Sequence, residues 1–284
     1  MDKIAITTDT NSSISPEEAE KLGIHMLPMP FSVDNKEYFE GVNCTYEEFF
    51  EMLAKGCQVS TSQPAPEAII SFWNEILKDY DYIVHIPMSA SLSSSLATAK
   101  ALSVDYSGKV FVADNKRISV SQRQSVIDAL HLVRKGLSAE EICKTLEEHS
   151  YNASIYLAVN TLELLKKSGR VTAAGAAIAS ILNIKPVLQI QGEKLDAYAK
   201  ARGMKNAEDI MINVLHKDVE ERFAGKPIKV ETAYSGDLAA AMEWRNKVQE
   251  SFPDYQVNLH KLPISISCHV GAGVKALGCI QYIE

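Results

Sequence analysis

The sequence predicts an α/β protein of two domains, a parallel-sheet domain over residues 1–153 and a mixed-sheet α+β domain over residues 154–284. Three observations carry this. The chain has 284 residues, enough for two domains at about 100–200 residues each. Strand, polar loop and helix recur three times in the first half, the pattern of a parallel α/β sheet. In the second half, neighbouring strands and clustered helices replace that alternation, as in a mixed or α+β sheet.

The first strand is residues 4–9, ending in the polar turn Thr10-Asn11-Ser12-Ser13. A helix starts at Ser15-Pro16-Glu17-Glu18. Ser15 can cap a free amide there, and Pro16 takes the first helical position, where no N–H is needed. The second strand, residues 82–86, stops at Pro87 and leads through the loop 88–93 into a helix at 94–103. The third, 110–113, ends in Asp114-Asn115 before a helix at 120–134. Ligands of such sheets gather at the carboxyl ends of the strands, and all three polar loops lie at that edge. Residues 26–50, with Pro28, Pro30 and the run Asn35-Lys36-Glu37-Tyr38, read as an irregular insertion or short β-ribbon.

The second half opens with a strand at 154–159 and helices at 162–167 and 172–182. Strands 185–191 and 195–199 follow, joined by a turn at Gly192. Helices 206–223 and 238–251 flank a strand at 228–233, with Asp237 as N-cap of the later helix. Strands near 256–260 and 280–283 close the chain.

Composition narrows the function classes. Apolar residues are 46% and charged residues 23%, the range of soluble globular proteins. A net charge of −7 argues against nucleic acid or an anionic membrane as the main partner. A small anion stays open, since a few local donors can hold a carboxylate. The start Met1-Asp2-Lys3-Ile4-Ala5-Ile6 is too short an apolar run for a signal peptide. No stretch reaches the ~18 apolar residues of a membrane helix. The five cysteines are odd in number and lack a C-x-x-C pair, which fits reduced thiols in a cytoplasm and no metal cluster. His260 and His269, the two closest histidines, lack metal-ligand spacing. Phosphate-loop, dinucleotide and nucleophile-elbow motifs are missing, so no cofactor is expected.

What remains is hydroxyls. Ser60-Thr61-Ser62-Gln63-Pro64 and Ser89-Ala90-Ser91-Leu92-Ser93-Ser94-Ser95 each offer several O–H donors beside loop amides. Their ordinary role is to make turns and caps. Cys268-His269-Val270-Gly271-Ala272-Gly273 reads as a tight glycine loop whose histidine either serves an anion or is structural. Lys166-Lys167-Ser168-Gly169-Arg170 and Lys200-Ala201-Arg202-Gly203 are basic and lie beside glycines. A helix C-terminus accounts for the first better than the second.

These segments, taken in order, resemble the DegV family of bacterial fatty-acid-binding proteins. Thr7-Thr8-Asp9-Thr10-Asn11-Ser12 resembles its opening T-D-S motif, and Thr61-Ser62-Gln63-Pro64 matches its T-S-Q-P. Residues 86–95 resemble I-S-S-x-L-S-G-T, and Leu165-Lys166-Lys167-Ser168-Gly169-Arg170 resembles L-K-K-G-G-R. Leu182-Asn183-Ile184-Lys185-Pro186-Val187-Leu188 is similar to L-L-x-I-K-P-I-L, and residues 268–273 to x-H-x-G-P-G. The likeness runs from residue 4 to about 280. It departs at Ser94-Ser95 in place of Gly-Thr, which narrows a head-group site, at Asp114-Asn115 in place of Asp-Ser or Asp-Thr, and at Ala272 in place of proline.

The resemblance implies a DegV-like two-domain protein, not itself an enzyme, holding one long-chain fatty acid such as palmitate in a tunnel between the domains. It implies a carboxylate on Thr61 and Ser93, with Ser62, Ser94 and His269 close by. It also implies delivery to a separate ATP-dependent fatty acid kinase that makes acyl phosphate, with Arg170 and Arg202 facing that partner. A buried methylene contributes about 0.8 kcal/mol, so a palmitate tail contributes on the order of 10 kcal/mol. The tail then sets affinity and the hydroxyls set orientation. The small-residue stretch 172–179 offers either room for that tail or close packing against a neighbouring helix.

Two other readings compete. A serine hydrolase would use Ser93 with His269 as base and Asp9 as orienting acid. A partner-binding module would use an exposed Phe31, Tyr38 and Phe39 on the 26–50 segment.

Overall fold

The computed structural model describes residues 2–177, 184–192 and 195–284. Its first sheet is parallel throughout, in the order β2-β1-β6-β7. These strands are β1 (Ile4–Asp9), β2 (His25–Leu27), β6 (Tyr82–Ile86) and β7 (Val110–Val112). Helices cover both faces, so β1 is buried from Ala5 to Asp9 and its hydroxyls need internal partners. Thr8 Oγ1 donates to the Ile86 carbonyl at 2.7 Å, and Thr7 Oγ1 meets His85 Nδ1 at 2.8 Å.

On one face lie α5 (Ser119–Arg134) and α6 (Ala139–Glu148). On the other lie α3 (Pro66–Ile76) and α4 (Ser95–Ser103) around Trp73. Helix α1 (Pro16–Leu22) starts as the sequence predicts, with Ser15 Oγ accepting from Glu18 N at 3.2 Å. Helix α6 goes beyond the sequence reading, although Ser138 and Glu141 form a complete capping box at its start.

Of the two readings of the 26–50 segment, the structure shows the short β-ribbon. Strands β3 (Pro30–Val33) and β4 (Lys36–Phe39) form a hairpin, closed by Asp34 and Asn35 at φ 48° and 65°. Two left-handed residues in a two-residue loop match strand twist. Helix α2 (Tyr46–Ala54) follows, and β5 (Val59–Thr61) returns to pair with β3. Phe31 is fully buried here rather than exposed, stacked on Tyr38 and packed edge-on to Phe49.

The second sheet has the order β10-β9-β8-β13-β11-β12. The strands are β8 (Ala153–Ala158), β9 (Ile184–Ile190), β10 (Asp196–Arg202), β11 (Ile228–Tyr234), β12 (Asn258–Lys261) and β13 (Lys275–Gln281). Only β11 and β12 pair in parallel. Helices α9 (Met204–Lys217) and α10 (Leu238–Ser251) cover one face, and Asp237 caps α10 as predicted. The other face turns toward the parallel sheet, and Met88, Leu92, Ile118 and Val120 share one core with Ile155, Leu157 and Ala276. The predicted helix 172–182 is described only as α8 (Ala173–Ala177), and residues 178–183 lie outside the described residues. The final strand begins five residues earlier than predicted, at Lys275.

The crossover between the halves is held by Arg117, which is buried. Its guanidinium donates to the carbonyls of His149 at 2.7 Å and of Ser150 and Asn152 at 3.5 Å. Burial pulls its pKa down to about 10, against the pull of nearby Asp128.

Candidate functional site

A cavity of about 1010 Å³, its open mouth and the solvent in it included, lies between the two sheets. Its floor is the inner face of the mixed sheet, with Ile155, Leu157, Ile190, Ala233 and Ala276. Its roof is the carboxyl edge of the parallel sheet, with Asn11, Met88, Leu92 and Ile118. At one end it becomes polar. Thr61, Ser62, Ser93, Ser94, Arg170 and His269 all line it.

Each side chain is positioned by its element. Thr61 ends β5, which the ribbon and α2 press against α11 (Ile264–Val270), through Phe31, Phe49, Ile264 and Cys268. His269 thus stands inside a short helix, not in the glycine loop that the sequence predicts; Gly271 and Gly273 follow that helix. Across 208 residues of sequence, Thr61 Oγ1 and His269 Nε2 lie 2.9 Å apart. His269 Nδ1 is buried and has no partner among the described residues. Burial, and then the Arg170 guanidinium, hold the imidazole down to about 4, so it is neutral at pH 7. If Nε2 carries the ring proton, Thr61 keeps its own for a ligand oxygen. In the other tautomer Nδ1–H is the free donor. Either state leaves one donor available.

Ser93 and Ser94 precede α4. Ser93 Oγ accepts from Ser95 N at 3.2 Å, and Ser94 Oγ donates to Gln63 Oε1 at 2.8 Å. Thr98 Oγ1 donates to the same oxygen at 3.1 Å, tying the T-S-Q-P loop to α4. Ser94 occupies the N-cap position without making a side-chain cap, so capping does not account for its hydroxyl. Arg170 Nε reaches the Leu92 carbonyl at 3.4 Å and another of its nitrogens donates to the Ser168 carbonyl. Arg202 does not line the cavity; it is exposed at the end of the edge strand β10. A second cavity adjoins the polar end, sharing Thr61, Arg170 and His269 and adding Ser60, Lys167 and Ser168.

The hydrolase arrangement is not assembled. Asp9 is fully buried, accepting from Asn11 N at 3.0 Å, Met88 N at 2.8 Å and Gln122 Nε2 at 3.1 Å. His269 faces Thr61 rather than Ser93 across its bonded nitrogen. Asp9 instead holds the β1 and β6 loops in place. Five polar lining residues escaped sequence reasoning as site residues: Asn11, Gln63, Ser119, Glu231 and Ser265. Glu231 left one signal, a carboxylate between Val230 and Thr232 in the buried part of the strand Ile228–Tyr234.

Fold and site together define an α/β protein with a largely apolar cavity that opens to the surface and is polar at one end. The model of the DegV family, described as uncharacterised proteins, matches residues 3–281. A DegV domain-containing protein of Staphylococcus aureus (strain N315) is 30% identical over 282 residues, 98% of each chain. A DegV family protein from Thermus thermophilus, described as binding fatty acid, superposes with a TM-score of 0.89 at 27% identity, over 98% of this chain and 99% of that one. DegV of Bacillus subtilis, described as a fatty acid binding protein, gives a TM-score of 0.86 at 25% identity, over 99% and 100%. The chain belongs to the DegV family.

Proposed function

We propose that this protein binds one long-chain fatty acid, of the palmitate class, between an N-terminal domain (residues 1–153) and a C-terminal domain (154–284). The observation that carries this is the cavity itself, mostly apolar and lined at one end by Thr61, Ser62, Ser93, Ser94, Arg170 and His269. In this reading the carboxylate accepts from Thr61 and Ser93, and Arg170 supplies the positive charge that an acidic protein otherwise lacks there. Each charge-assisted bond contributes ~1.5–3 kcal/mol before desolvation is counted. The likeness to two fatty-acid-binding DegV proteins supports the same ligand class.

In the same reading the protein is a cytoplasmic carrier that does no chemistry. It presents the carboxyl to a separate ATP-dependent kinase for acyl-phosphate formation, with Arg170 and Arg202 toward that partner. The exposure of Arg202 on an edge strand and the second opening beside Arg170 are consistent with this. No described helix is long and apolar enough to cross a membrane.

Displacement of a fluorescent fatty acid tests the head-group assignment. Thr61→Val and Ser93→Ala should each weaken palmitate by about tenfold or more, the loss of one bond to a charged group. Unchanged affinity in both variants would refute it.

A further inference from the structure

The far part of the cavity holds a polar group that a plain hydrocarbon tail does not explain. Glu231 lines the cavity and is 4% exposed. On β11 it sits directly opposite Gly278 of β13, in the same row of the sheet as Ile155 and Ile190. That row lies three residues beyond the Lys275 end of β13, about 10 Å further into the cavity. Gly278 carries no side chain of its own, and Ile280 and Val120 stand where one would be.

Each oxygen of Glu231 takes one bond, from Asn258 Nδ2 at 3.2 Å and with His260 Nε2 at 3.0 Å. A carboxylate has about four acceptor sites, so two remain. A methylene chain passing here would leave them facing hydrocarbon, an arrangement that costs binding energy. Other buried polar groups line the same cavity. Asn11 Oδ1 accepts from Ser265 Oγ at 2.6 Å, Ser119 Oγ lies 2.9 Å from Ser13 Oγ, and Asn11 Nδ2 meets the weak acceptor Met88 Sδ at 3.0 Å.

We propose that the preferred cargo is a hydroxy fatty acid, its chain hydroxyl in the distal half donating to Glu231. This rests on the fatty-acid reading and specifies its ligand. A hydroxyl is the neutral chain substituent that donates. A keto group only accepts, which Glu231 cannot answer, and a second carboxylate would meet like charge. The Asn258 and His260 bonds hold the carboxylate in place, so an incoming hydroxyl finds its acceptor already oriented.

The test is displacement of a fluorescent fatty acid from the delipidated full chain by stearic acid and by monohydroxystearic acids hydroxylated in the distal half. At least one hydroxylated isomer should compete about tenfold better than stearic acid, the contribution of one hydrogen bond to a charged group. Glu231→Leu should abolish or reverse the preference. Should that variant not fold, the isosteric Glu231→Gln should reduce the preference for the hydroxylated isomer over stearic acid. Stearic acid competing as well as or better than every hydroxylated isomer overturns the inference and leaves the carrier reading standing. Failure of all of them to compete overturns the carrier reading, and the inference with it.

Discussion

The two faces of the mixed sheet use the same strands for opposite ends. On the helix-covered face, Tyr156, Val187, Val230, Leu277 and Cys279 pack against Met211, Phe223 and Trp244, all nearly inaccessible. On the other face, one residue along each strand, Ile155, Leu157, Leu188, Ile190, Ala233 and Ala276 turn toward the parallel sheet. Strand period two makes this division available to any sheet. On one side the helices close down on the strands and build a solid core, and on the other the parallel sheet leaves a cavity. Stability and ligand capacity are therefore carried by alternate residues of the same strands.

Trp244→Ala should show the largest effect. The indole is buried and its Nε1 donates to the Ala276 carbonyl at 3.1 Å, so the change should cost ~3–5 kcal/mol in denaturant unfolding. A loss below about 1 kcal/mol would mean that this face is not the stabilising one. Ala276→Phe, on the opposite face of β13, should reverse the pattern. The ring enters the cavity, so fatty acid retention should fall by at least about tenfold, while stability changes by less than the ~1–3 kcal/mol typical of overpacking. Calorimetry with and without ligand separates the two effects. Equal damage to both properties in either variant would break the division of labour.

A smaller effect concerns the ribbon that carries Thr61. Glu40 Oε2 accepts from Ile264 N at 2.8 Å at the start of the helix that carries His269. Burial lifts the carboxyl from 4.5 to about 7, against the opposing effects of that bond and of Lys261. The folded chain then holds a proton that the unfolded chain releases between those values, so stability falls as the pH rises through the window. Glu40→Gln should melt higher than the parent at about pH 8, with the difference vanishing near pH 4. A difference that grows toward acid would contradict the sign.

Most of the framework was legible because it is local. The strand at Ile4–Asp9, the cap at Ser15 and the cap at Asp237 follow from a few adjacent residues, and the structure contains all three. The hydroxyl clusters were legible as donors, but their convergence was not. Thr61 and His269 meet only because the ribbon docks on α11, a contact that no local pattern encodes. His269 read as part of a glycine loop because Gly271 and Gly273 dominate the segment, whereas apolar packing of Ile264 and Cys268 holds the preceding residues in a helix. Glu231 drew no notice in the 228–233 strand, since whether a strand residue faces packed core or cavity depends on what covers each face.

Native mass spectrometry of the recombinant protein, purified without added lipid, tests the central claim most directly. The account predicts an added mass of one long-chain fatty acid, released on denaturation and missing from Ala276→Phe. A protein that carries no added mass, and gains none when incubated with palmitic, stearic or hydroxystearic acid, would contradict it.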